Sequence, residues 1–252
     1  MSAQYTNLAR LYDRLNTEVD YAELADFLLK KTSIVPRGRP ELILDLACGT
    51  GKLTAELAAR GFDMTGVDIS EDMLEAAAER ASEAGVDILF LNQSMTDFEL
   101  YGTVQAVYCC FDSLNYLTRS GELAKCFALV HNYLEPNCIF IFDVNTEHKF
   151  KNIYSQNSYI LEADGIFCAW QNYYNEKTRL CDFYLTFFEE QPDGSYLRSE
   201  ESQRERCYSI KHIEKCLTDT GFEVLEVLGD DRMSALKPTD DRAYFIARAI
   251  KH

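Results

Sequence analysis

The chain has 252 residues, 47% of them hydrophobic, and its 41 Asp and Glu exceed its 25 Lys and Arg by 16. That length and apolar content allow one large α/β domain with an insertion, or two small domains. The acidic excess argues against broad binding to nucleic acid, whose phosphates it would repel, while leaving room for a small basic pocket. Taken in chain order, Tyr5, Leu8, Ala9, Tyr12 and Leu15 share one helical face. A second helix is expected from Asp20 as N-cap to about Lys31, burying Tyr21, Leu24, Phe27 and Leu28. Pro36, Gly38 and Pro40 then break the chain.

Residues 43–51 read ILDLACGTG: an apolar run, a carboxylate inside it, and a glycine-bounded turn. Leu53, Leu57 and Ala58 follow at helical spacing, so the stretch predicts a buried strand, a tight turn and a helix start. Gly49 and Gly51 allow a sharp bend and the close approach of a ligand. A second apolar run, residues 64–67, ends in Asp68, 17 residues after Gly51. A carboxylate there suits the two hydroxyls of a ribose. Ser70 is a good N-cap for an Ala-rich helix, with Glu71 and Asp72 at its positive end. Strands are expected at 87–91 and 104–111, then a helix marked by Leu123, Phe127, Val130 and Leu134. Pro136-Asn137 should turn into a fifth strand, 138–144. Strands alternating with helices predict a parallel, doubly wound sheet.

After Asn145 the pattern changes. Residues 166–208 read as antiparallel strands, with alternating Cys181, Phe183, Leu185 and Phe187 and turn signals at 175–177 and 192–194. Ser209 can cap a last helix that Gly221 ends, and 222–228 and 243–249 look like closing strands. The nine cysteines form no C-x-x-C pair, and Cys109, Cys110 and Cys138 sit in apolar surroundings. This suggests buried thiols in a reducing cytosol rather than disulfides or zinc. His131, His148, His212 and His252 show no ligand spacing, so no metal site is expected. No apolar run approaches the ~20 residues of a membrane span and no basic-then-apolar signal opens the chain, so a soluble cytoplasmic protein is expected.

The ILDLACGTG stretch, followed by VDIS at 67–70, resembles the first motif of class I S-adenosylmethionine-dependent methyltransferases. A dehydrogenase fingerprint would want a third glycine where Thr54 stands. The resemblance implies a doubly wound, mainly parallel seven-stranded sheet with N-terminal helices, closed by a β-hairpin whose last strand is antiparallel to the rest. It implies an inserted small antiparallel sheet. The cofactor-binding domain would comprise 1–145 and 209–252, and a substrate lid 146–208. The implied cofactor is S-adenosylmethionine. Asp45, Ala47, Cys48, Gly49 and Gly51 would lie at the end of the first strand, with Asp68 on the ribose and Ile69 and Met73 flanking adenine. Gln93, Ser94 and Met95 would meet the adenine edge, and Cys110, Phe111 and Asp112 the methionine moiety. Tyr12 would lie on a covering helix.

Acceptor choice is expected in the insertion, whose Trp170, Tyr173, Tyr174, Tyr184, Arg204, Arg206 and Tyr208 supply aromatic faces for a cation and guanidinium groups for an anion. Trp170, Tyr184, Arg204 and Arg206 are the acceptor-pocket candidates, with Asp112, Asn115 and Tyr116 as acceptor-side groups near the cofactor. No strongly specific base is visible, which favours methyl transfer to the nitrogen of a small molecule, driven by proximity. An RNA or protein methyltransferase using the same cofactor site, and a protein that binds the cofactor without turning it over, remain open.

Overall fold

The computed structural model describes residues 19–33, 39–163 and 165–251. The expected helix around Tyr5–Leu15, and Tyr12 with it, lies outside the described residues. Helix α1 (Tyr21–Thr32) begins where the Asp20 side chain accepts the Glu23 N–H, and it buries Leu24 and Leu28. Strand β1 (Leu42–Leu46) has four of its five residues buried, as a strand covered on both faces must. Next come α2 (Lys52–Ala59), β2 (Asp63–Asp68), α3 (Glu71–Ala84), β3 (Leu89–Asn92) and β4 (Val104–Cys109). Ser70 caps α3 by accepting the Met73 N–H, and Gly85 ends it in the left-handed region. A 3₁₀ turn (Ser113–Tyr116), α4 (Glu122–Tyr133) and β5 (Leu134–Asn145) complete this half.

After a π-helical turn (Lys149–Tyr154), four strands form a separate antiparallel sheet in sequence order: β6 (Ser158–Ala163), β7 (Ile166–Asn175), β8 (Leu180–Glu190) and β9 (Tyr196–Arg206). Helix α5 (Ile210–Asp219) returns the chain to β10 (Phe222–Leu228) and β11 (Arg242–Ala249). The main sheet has the order β10-β11-β5-β4-β1-β2-β3. Its pairs are parallel except those of β11, which runs antiparallel to both β5 and β10. The strand order reverses between β1 and β4, and the crevice beyond their C-terminal ends is where a doubly wound sheet binds ligands.

Four boundaries differ from the sequence reading. Strand β4 stops at Cys109 because Phe111 and Asp112 take φ of 60° and 54°, and both their N–H groups go to the Asp143 carboxylate at 2.8 Å. Leu134 opens β5 instead of closing the helix, and the pairing slips between Val104↔Leu134 and Ala106↔Ile139, with left-handed Asn137 in the gap. Strand β3 starts at Leu89, and the second sheet starts at Ser158, in a strand whose half-exposed pattern carries little apolar signal.

Hydrogen bonds fasten the second sheet to the loop after β4. Asn115 Nδ2 donates to the Arg206 carbonyl at 2.9 Å, Tyr116 donates to Gln203 Oε1 at 2.8 Å, and Arg206 Nε donates to the Thr118 carbonyl at 2.8 Å. The inner face of that sheet packs Cys168, Cys181, Phe183, Leu185 and Phe187 against Phe150 and Tyr154. All nine cysteines are free thiols, and eight are buried. Among the described residues no helix is long and apolar enough to cross a membrane.

Candidate active site

Strand β1 runs into a turn in which Ala47, Gly49 and Gly51 all have positive φ. The two glycines do different things. A Cβ on Gly51 would lie 2.8 Å from the Ala77 Cβ of α3, so this glycine lets the helix pack against the turn. A Cβ on Gly49 would meet nothing within 4 Å, so this backbone faces open space. Gly51→Ala combines a clash with left-handed strain of about 1–2 kcal/mol, whereas Gly49→Ala carries the strain alone. Thermal unfolding should therefore find Gly51→Ala clearly the less stable of the two; equal melting temperatures would mean that α3 yields freely.

Two carboxylates flank this turn. Asp45 is 2% exposed and accepts the Thr54 hydroxyl at 2.6 Å. Burial pushes its pKa up to about 7, Thr54 opposes the shift, and the nearby Asp68 adds to it. Thr54, which occupies the place of the missing third glycine, thus serves Asp45. Asp68 accepts the Gly49 N–H on Oδ2 and the Ser70 N–H on Oδ1, both at 2.9 Å. Burial raises its pKa while these N–H groups pull it down. Each oxygen retains a further lone pair for a ligand hydroxyl.

Beside them, Ile69 leaves 60% of its surface exposed, while Met73 is buried beneath the start of α3. The Gln93 N–H bonds the Asp68 carbonyl at 3.0 Å, but the Gln93 side chain accepts the Glu99 N–H at 2.8 Å. Ser94 is engaged with Thr96, and Met95 packs on the main core near Cys109. Cys110 is buried, and its carbonyl accepts the Ser113 hydroxyl at 2.8 Å. The Phe111 ring lies 5.7 Å from that of Tyr21. The structure thus brings the 47–51 turn, Asp45, Asp68, Ile69 and the 110–112 turn to neighbouring strand ends.

A second polar group lies across the crevice. Arg242 of β11 reaches Asp112 at 2.6 Å and also pairs with Asp143. Burial alone would raise the Asp112 pKa, but Arg242 and Lys149 hold it below the ordinary carboxylate value. Burial raises that of Asp143, with Arg242 opposing. Asn145 donates to Glu205 Oε2 at 3.0 Å and accepts from Lys149 Nζ at 2.9 Å. Asn115 is fully buried, its amide committed to Arg206 and to the Asn145 N–H, and Tyr116 is bonded to Gln203.

The four insertion candidates do not converge. Trp170 is on the inner face of the second sheet, 5.8 Å from the Phe183 ring. Tyr184 is on the outer face against Tyr173, and Arg204 pairs there with Asp182. Arg206 is bonded to carbonyls of Thr118 and Thr178. Sequence reasoning missed Asp143, Asn145, Lys149, Glu205 and Arg242. Asp143 carried a usable signal, a charge inside an apolar strand like that of Asp45. Glu205 carried one too, since strand alternation sets it on the opposite face from Arg204 and Arg206.

A doubly wound sheet with a glycine turn and a ribose-competent carboxylate at its switch point defines a nucleotide-binding α/β protein. Residues 43–137 match a family described as a methyltransferase domain. The chain is 34% identical over 244 residues to a protein of Geobacillus sp. (strain WCH70) assigned as a methyltransferase, covering 97% of this chain and 99% of the relative. It resembles the crystal structure of an S-adenosylmethionine-dependent methyltransferase from Clostridium acetobutylicum ATCC 824, with a TM-score of 0.88 and 28% identity over 98% of this chain and 99% of that one. It is also 26% identical to dTDP-3-amino-3,6-dideoxy-alpha-D-glucopyranose N,N-dimethyltransferase of Streptomyces fradiae, over 86% of this chain and 84% of the relative. The chain belongs to the class I S-adenosylmethionine-dependent methyltransferases, and S-adenosylmethionine is its cofactor. The open side of Gly49 and the spare lone pairs of Asp68 fit an adenosyl ligand.

Proposed function

We propose that this enzyme methylates a nitrogen atom of a small molecule. The observation that carries this reading is the fastening of the antiparallel sheet to the loop after β4 through Asn115, Tyr116 and Arg206. The sheet is thereby held beside the strand-end crevice, where in this reading it would enclose a small acceptor. The similarity to an amino-sugar N,N-dimethyltransferase over most of the chain supports nitrogen. In this reading residues 146–208 form the lid that selects the acceptor, and Trp170 is one of its inward-facing aromatics.

The cofactor would be held by Asp68 at the ribose, Ile69 and Met73 beside adenine, and the backbone of Ala47, Cys48, Gly49 and Gly51. Gln93, Ser94 and Met95 would border the adenine edge, and Asp45, Cys110, Phe111 and Asp112 would surround the methionine part. Bound there, S-adenosylmethionine supplies an electrophilic methyl group on a sulfonium sulfur. The chain's own groups align the nucleophile and exclude water.

The adenosyl ligands should stabilise the protein by mass action, so thermal unfolding should shift upward with S-adenosylmethionine and its demethylated product but not with NAD. Incubation with labelled cofactor and paired amine and hydroxyl compounds tests the nitrogen assignment. Transfer to hydroxyl compounds alone would overturn it.

A further inference from the structure

Resting on the nitrogen reading, we propose that Glu205 receives the protonated amine of the acceptor and takes its proton. Glu205 is 3% exposed on the inner face of β9, in register with Cys181. It has one hydrogen bond, from Asn145 Nδ2 at 3.0 Å, and no ion pair with any described residue. The nearby cations are committed elsewhere: Arg242 to Asp112 and Asp143, Lys149 to Asn145 Oδ1. A charged carboxylate this isolated from water is costly unless a cation joins it.

A second observation on the same face points to a ligand. Asn172, 1% exposed on β7, has no partner for either Oδ1 or Nδ2. Trp170 Nε1, two residues earlier on that strand, is also buried without a partner. Such atoms are uncommon in a folded interior and call for a group from outside the chain. Tyr154 is in ring contact with Trp170 and Phe183 on this face, and it lies close enough to Glu205 to feel its charge. Its ring already faces one cation, with Lys149 Nζ 5.1 Å from its centroid. Through Asn145 the carboxylate is joined to the end of β5, beside the strand-end crevice.

The chemistry balances. An ammonium has no lone pair with which to attack. One proton passing to a Glu205 oxygen leaves a neutral amine with its lone pair free and a neutral carboxylic acid. Burial raises the proton affinity of this carboxylate, and the charge on Asp112 raises it further, while Asn145, Lys149 and Arg242 oppose. Tyr154 and Cys181 are the other titratable groups facing it.

The test is Glu205→Gln in the full chain, assayed with labelled cofactor against a panel of primary and secondary amines and their hydroxyl analogues. Calorimetry should find cofactor affinity unchanged. KM for the amine should rise about tenfold or more, the scale of a hydrogen bond to a charged group. Activity of the variant should recover toward alkaline pH, where amines are neutral in solution. The variant should also melt higher than wild type at alkaline pH, because it removes a buried charge. A variant less stable than wild type would make the carboxylate structural and overturn the assignment. An unchanged KM and pH profile, with the wild type methylating amines, would overturn it and leave the nitrogen reading standing. A wild type that accepts no amine would overturn both.

Discussion

Asp68→Ala should weaken binding of S-adenosylmethionine by about two to four orders of magnitude. Two ribose hydroxyls donating to a charged carboxylate are worth roughly 1.5–3 kcal/mol each, or about 3–6 kcal/mol together. The side chain also accepts the Gly49 and Ser70 N–H groups, so its removal loosens the turn on which the rest of the site stands. Asp68→Asn separates the two effects, since an amide retains one acceptor oxygen for the turn but loses the charge. Calorimetry with the cofactor and its demethylated product, alongside thermal unfolding, reads both. The alanine variant should remain folded, because burial raises the Asp68 pKa and its charge therefore costs the ligand-free protein stability. A loss of affinity below tenfold would confine the carboxylate to organising the turn.

The features legible in the sequence are those that short-range chemistry dictates. The left-handed turn at 47–51 needs glycine where space or φ demands it, and the helix caps at Asp20, Ser70 and Ser209 announce themselves by residue type. The doubly wound, mainly parallel character of the main sheet followed from alternating strands and helices, and its antiparallel last strand from the family motif. The other side of the crevice was not legible, because it is assembled from distant parts of the chain. Asp112 and Asp143 meet Arg242 about a hundred residues or more away in sequence. In the second sheet the face of each side chain depends on parity. Arg204 and Arg206 attract notice as charges, yet it is the intervening Glu205 that turns inward. Thr54 reads in the sequence as a lost glycine, and only the fold shows its hydroxyl on Asp45.

That hydroxyl leads to the second large effect. Asp45→Asn should make the ligand-free protein more stable at alkaline pH and its stability less dependent on pH. The Asp45 carboxyl titrates near pH 7 in the folded chain, against an ordinary value of 3.8. Between these values the folded state holds a proton that the unfolded state has released. Stability therefore falls as pH rises through the window, and the loss is complete above about pH 7. Each pKa unit is about 1.36 kcal/mol, so the full loss is on the order of 4 kcal/mol. Asparagine keeps an oxygen to accept the Thr54 hydroxyl and has no proton to lose, so this contribution disappears. Urea unfolding of both proteins at acidic and alkaline pH measures the difference. The two curves should converge on the acid side and separate on the alkaline side, with the variant above. A variant less stable than wild type at alkaline pH would show that the buried charge is compensated within the chain. The same substitution should weaken the cofactor, whose cationic amine would meet Asp45 and restore the balance that the ligand-free site lacks. Stability lost by the empty protein is in this way returned as affinity, and the asparagine variant should give up both together.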